Sequence, residues 1–179
     1  LSVIVYHLSL GADLISDPQE KTVFFELCVR AGRKAMKASE FAEASAHFER
    51  AILLLGDEKW SDKHDTSIVL LQDAAEVSYC IGDFNRMDRH LDLVLQNAKT
   101  IEDRLRAYTI QIYASGARHR VREALDTAMD ILRQLGEPLP TKIGKITFVA
   151  EMIKTKWNLL GKSQRFFTVL RCRRPQTTL

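Results

Sequence analysis

Cysteine is scarce in this chain. Three residues, Cys28, Cys80 and Cys172, lie far apart with no Cys-x-x-Cys pair. An odd, scattered set argues against a disulfide framework and against a thiolate zinc site, and it fits a reducing compartment, so a cytoplasmic protein is expected. Proline and glycine are also few, four and eight in 179 residues, which leaves long helical stretches uninterrupted. No apolar run approaches the roughly 18–20 residues of a membrane span. The apolar opening is broken by His7 and Asp13 and lacks a small-residue cleavage site, so it does not read as a signal peptide. Period-two alternation is missing beyond a few residues, which removes strands from the expectation. The first residue is Leu1 rather than Met, and we expect a piece of a longer polypeptide.

Catalytic patterns are missing as well. The five histidines, His7, His47, His64, His90 and His119, show no ligand spacing, and the serines have no Gly-x-Ser-x-Gly context. Gly161-Lys162-Ser163 echoes the end of a phosphate loop. The glycine that such a loop needs five residues earlier is Lys156, and an amphipathic helix stands where a strand should be. His64, His90 and Cys80 are the residues from which an active site would have to be assembled, and nothing in their spacing brings them together. No cofactor, metal or catalytic residue is expected, and the chain reads as a non-enzyme.

What is present is helical periodicity. Asp17-Pro18-Gln19-Glu20 is a helix start, with a capping carboxylate before a proline suited to the first turn. Three helical hairpins are expected at about 18–57, 62–99 and 100–136, flanked by helices over 3–15 and 143–160. A basic tail over 164–179 loses the pattern. Within the hairpins one spacing recurs: Ala44–Phe48–Ala51, Met87–Leu91–Val94 and Ala124–Ala128–Ile131, at offsets of 43 and 37 residues. Each triplet follows a polar–apolar pair three residues upstream, Glu40-Phe41, Asp83-Phe84 and Arg120-Val121. Gaps of four then three put each triplet on one stripe of a second helix, where small residues admit a close neighbour. Recurrence at about 34–47 residues with two helices per unit predicts stacked hairpins, which bind and connect rather than catalyse.

Charge is uneven along the chain. Residues 1–100 carry 11 Lys/Arg against 16 Asp/Glu, net −5, and residues 101–179 carry 15 against 7, net +8. The basic group around Arg118-His119-Arg120-Val121-Arg122, with Arg104 and Arg106 one helix earlier, lacks interleaved aromatics, so nucleic acid is not the expected partner.

The hairpins resemble tetratricopeptide-type repeats, most closely in GDFNRMDRHLDLVLQNA (82–98) and REALDTAMDILRQLG (122–136). The longer order of pieces is YHLSLGADLI, DPQEK, AGRKAMKASEFAEASAHF, Trp60 with His64, AAEVSYCIGDF, AKTIEDRLRAYTIQIYA, EALDTAMDILRQLGEPLP and LLGKS. That order is similar to the helical region following the ATPase domain of large multidomain AAA/STAND-type signalling ATPases. Those proteins are described as origin-recognition-like predicted ATPases, often fused to serine/threonine or histidine kinase modules. The resemblance implies an all-α fold, a right-handed α-α superhelix of tetratricopeptide-like hairpins. It also implies partners that are protein or intramolecular: an upstream ATPase and downstream kinase-type modules. No ATPase or kinase motif is present, so no catalytic residue is carried over.

The alternative is a free-standing tetratricopeptide adaptor that grips a peptide. On this reading the first helices of the hairpins would line the groove, with Arg33, Gln72, Glu76, Tyr79 and Tyr113 as the candidate protein-binding residues. A last expectation concerns the ends. The final helix carries Ile146, Val149, Ile153, Trp157 and Leu160, and the first offers Val3, Ile4, Leu8 and Leu14, so at least one terminal helix should expose an apolar patch.

Overall fold

A computed structural model describes residues 17–56, 60–137 and 152–156, together with Val5, His7, Leu8, Leu10, Gly11 and Ile15. Among the described residues all regular structure is helical. Six helices are described from end to end: α1 (Pro18–Lys37), α2 (Phe41–Leu55), α3 (His64–Cys80), α4 (Phe84–Asn97), α5 (Ile101–Ala117) and α6 (Val121–Gln134). They pair in sequence as α1 with α2, α3 with α4 and α5 with α6, and α3 also packs on α1, α2 and α5. The chain divides into two compact units, Leu1–Pro138 and Leu139–Leu179.

Local chemistry sets the helix starts. The Asp17 side chain accepts the Glu20 N–H and Pro18 opens α1, while Asp83 does the same for Arg86 at α4. Thr100 and Asp103 make a reciprocal capping box before α5. Hydrogen bonds from the Thr100 N–H, and then from the Thr100 hydroxyl and the Lys99 N–H, outweigh desolvation and hold the Asp103 carboxyl below its usual range.

The three turns inside the hairpins are built alike. In Ala38-Ser39-Glu40, Ile81-Gly82-Asp83 and Arg118-His119-Arg120 the successive N–H groups donate to carbonyls four, three and five residues back. The middle residue is left-handed each time: Ser39 at φ 62°, Gly82 at 78° and His119 at 60°. These positions are offset by the same 43 and 37 residues as the apolar triplets. The sequence pattern places the last of these turns at Gly116 to His119, but α5 runs on through Gly116 to Ala117. The left-handed position that ends a helix this way falls at His119, three residues past the glycine.

Two apolar clusters share α3. One joins Phe24, Cys28 and Ala31 of α1 with Ala44, Phe48 and Ala51 of α2 and Leu70, Ala74 and Val77 of α3, and Val5 is buried in it. The other joins Ile68, Leu71 and Ala75 of α3 with Met87, Leu91 and Val94 of α4 and Ala107, Ile110 and Ala114 of α5. Serving both, α3 is buried nearly all round and has little amphipathic character. Where α1 crosses α2, Gly32 lies against the fully buried Phe48 ring, and a Cβ there would sit 2.5 Å from a ring carbon.

The third triplet is covered less well. Ile131 is buried, but Ala124 and Ala128 are only half-buried, and Val121 and Leu125 are exposed. Of the helix expected at 3–15, Val5, His7, Leu8 and Leu10 are described and helical; of that at 143–160, only 152–156 are, and Met152 and Ile153 there are exposed. Gly11 and Ile15 apart, the other residues of both helices, the Gly161-Lys162-Ser163 segment and the 164–179 tail lie outside the described residues.

Candidate functional site

The first helices of the three hairpins, α1, α3 and α5, meet through a line of charges. Arg33 of α1 donates from Nε to Oδ2 of Asp73 at 2.8 Å. Arg106 of α5 reaches Oδ1 of the same carboxylate with Nη1 at 2.6 Å, and donates from Nη2 to Oε2 of Glu76 at 2.7 Å. The Asp73 side chain is only 7 % exposed, while both arginines stay partly in water. Burying a carboxylate is costly unless it is paired and hydrogen-bonded, and here two guanidiniums from opposite neighbours satisfy it. Burial alone would lower the Arg106 pKa, but its bonds to Glu76 and Asp73 outweigh that and raise it. Two arginines and two carboxylates thus form a line that is neutral overall.

Of the residues expected to line a groove, Arg33 and Glu76 lie at the two ends of this line. Gln72 sits beneath it, buried, with Nε2 donating to the Asp103 carbonyl at 2.6 Å. Its amide ties α3 to the start of α5. Tyr79 is half-buried in the second cluster, its ring tilted against Phe84 with centroids 6.4 Å apart. Tyr113 lies two helical turns beyond Arg106 on the same stripe of α5 and is 62 % exposed. The groove expectation passed over Asp73 and Arg106. No lysine or arginine lies within α3 to mark Asp73 as paired, and Arg33 lies forty residues from it in sequence.

The second helices carry a separate polar network. His90 Nε2 is 2.9 Å from Glu49 Oε1, and Arg86 donates to the Ser45 hydroxyl at 3.0 Å while lying 3.2 Å from Asp83. The bond from His90 is the main reason the Glu49 carboxyl is held below its usual range. His64 buttresses the start of α3: its Nε2 meets the Asn97 carbonyl at 2.9 Å, and Trp60 stacks obliquely on its ring. Burial pushes the Cys28 thiol up to about 11 and raises that of Cys80, so both are thiols rather than thiolates at neutral pH. Among the described residues no cluster of three or more His, Cys, Asp or Glu is placed to hold a metal ion.

The basic residues near the third turn are engaged locally. Arg104 donates to the Ala98 carbonyl at 3.1 Å, and Arg118 pairs with Asp88 at 2.9 Å while lying over the Phe84 ring. Arg120 is 3.6 Å from Glu123. No described helix is long and apolar enough to cross a membrane.

No protein-family model matches the chain, and no solved structure does. It is similar to the hybrid signal transduction histidine kinase G of Dictyostelium discoideum, at 23 % identity over 175 residues. That match covers 89 % of this chain and 5 % of the relative, so the chain spans about a twentieth of that protein's length.

Proposed function

We propose that this chain is a non-catalytic interaction and coupling module, a tetratricopeptide-like stack of hairpins belonging to a larger signalling polypeptide. The observation that carries the reading is the spacing of the hairpins: their three turns recur at the same offsets as the three apolar triplets, and a fourth copy of the turn, at Leu135-Gly136-Glu137, closes α6. Repeating hairpins present their first helices side by side, and such a surface binds extended partners. The arginine–carboxylate line through α1, α3 and α5 fits this role, because it fixes the three helices relative to one another without using up the exposed positions around it. The similarity to a short stretch of a histidine kinase supports a signalling context, in which flanking ATPase and kinase-type modules are the partners.

The test is hydrogen exchange on this chain alone and joined to the segments that flank it in its reading frame. The reading expects slower exchange on α1, α3 and α5 in the longer polypeptide. Unchanged exchange on these helices would contradict it.

A further inference from the structure

We infer that the first-helix face of the first two hairpins takes an acidic protein segment with one apolar anchor residue. This deepens the interaction-module reading and rests on it. Two adjoining depressions carry the inference. One, of about 330 Å³, is lined by Arg30, Arg33, Lys34 and Lys37, cations at steps of three and four residues along one stripe of α1. The other, of about 320 Å³, lies between α1 and α3, with Val29, Val69 and Leu70 as its apolar floor and Arg33, Asp65 and Thr66 around it. Arg33 belongs to both, so the cationic stripe leads directly into the apolar seat.

The charge is local and, Arg33 apart, uncompensated. Residues 1–100 are net acidic, so the stripe does not follow a general basic bias. Asp73 pairs with Arg33, but Arg30, Lys34 and Lys37 take part in no ion pair among the described residues. Glu26 and Glu40 flank the stripe in sequence without bonding to it. Lys34 and Lys37 also sit in the last turn of α1, where cations complement the helix dipole, but that partial negative charge is small beside the three full positive charges of Arg30, Lys34 and Lys37.

Asp65 is fully exposed on the α3 side of the seat. It repels carboxylates there and gives the surface a polarity. The partner's acidic side chains lie along α1, its apolar side chain drops between Val29 and Val69, and α3 flanks the side without carboxylates. A peptide is favoured over single-stranded nucleic acid because no aromatic platform lines either depression. It is favoured over a bilayer because the stripe spans only about two helical turns, roughly 10 Å.

The test uses the whole chain and a fluorescein-labelled peptide of one leucine flanked on each side by glutamates, followed by fluorescence anisotropy. Binding should weaken steeply as salt rises. It should fall tenfold or more in R30E/K34E/K37E, and severalfold when the peptide's leucine becomes glycine or when the seat carries Val69→Ser. Since glutamates in a last turn oppose the helix dipole, R30Q/K34Q/K37Q is measured beside it and should also lose about tenfold while keeping the parent melting temperature. Arg122→Glu on α6 should change nothing. Undiminished binding by the glutamine variant, or no binding by the parent chain, overturns the inference. Equal or tighter binding to an oligothymidylate or to phosphatidylserine vesicles, lost in the same variants, overturns it too. If the peptide fails while the flanking segments still slow exchange on α1, α3 and α5, the acidic-segment assignment falls and the interaction-module reading stands.

Discussion

Asp73 is the residue on which the three first helices converge, and its energetics follow from its partners. Removing it strips charge-assisted bonds from Arg33 and Arg106, but both arginines are partly exposed and regain water. Asp73→Ala is therefore expected to cost about 2 kcal/mol, below the loss typical of breaking a fully buried pair. Urea denaturation checks this, and a loss under about 0.5 kcal/mol, the range of ordinary surface substitutions, would remove the line from the account.

Side chains with shifted pKa values give stability a pH dependence, His47 at higher pH and Glu49 with Asp103 at lower pH. Burial lowers the His47 pKa below 6.5, a shift that nearby Glu43 opposes and Arg50 reinforces. The folded chain thus holds a neutral imidazole while the unfolded chain takes up a proton below about pH 6.5, so stability is complete above that pH and declines as pH falls toward the folded value. Glu49 acts in a lower window. Its folded pKa lies under 4.5, mainly through the bond from His90, so its contribution is present above 4.5 and lost as pH falls through the folded value. The urea midpoint should accordingly decline in two stages on acidification. His47→Leu should abolish the first stage and keep the second, and a first stage that survives in His47→Leu would show that another group titrates there.

At the scale of elements, the turns carry unequal strain for the same geometry. Gly82 adopts its left-handed φ freely, whereas Ser39 and His119 hold theirs at a cost of about 1 kcal/mol. His119→Gly should stabilise the chain by about that amount and Gly82→Ala should destabilise it by about as much, both read from thermal melting. Opposite signs at equivalent positions are the expected result, and like signs would mean that the three turns are not equivalent in energy.

The helices themselves were largely legible in the sequence, because apolar periodicity marks their buried stripes and Asp17-Pro18 is a cap with a local cause. The end of α5 was not. Gly116 looks like a helix terminator, yet inside a hairpin the turn is placed by helix length and packing rather than by the nearest glycine. The close approach of Gly32 to Phe48 was hidden for a similar reason, since it depends on where α1 crosses α2. In the candidate site, Arg33, Glu76 and Tyr113 could be placed on first helices from periodicity alone. Gln72 could not be told from a surface residue, because its partner is a backbone carbonyl in another hairpin.

Across the first unit, burial declines toward α6. The triplets of α2 and α4 are wholly buried, whereas that of α6 has only Ile131 under cover, with Val121, Leu125 and Leu135 exposed nearby. Local stability follows buried apolar contact, so native-state hydrogen exchange should show α6 opening first and α3 last. Leu91→Ala should cost about 3 kcal/mol and Leu125→Ala under 0.5 kcal/mol. Exchange as slow in α6 as in α3 would mean that the array is a single cooperative block.

If the first-helix face is where the proposed module meets its partners, site-specific cross-linking from that face will capture them. A photoreactive residue is placed at Val69 or Tyr113 on that face, or at Leu53 on α2, in a polypeptide that carries the chain with its flanking segments. Leu53 is the strongest competitor, being 81 % exposed and apolar. Cross-links are expected from Val69 and Tyr113 to residues outside 1–179, and none from Leu53. Cross-links from Leu53 alone would contradict this and move the interaction surface to the second helices.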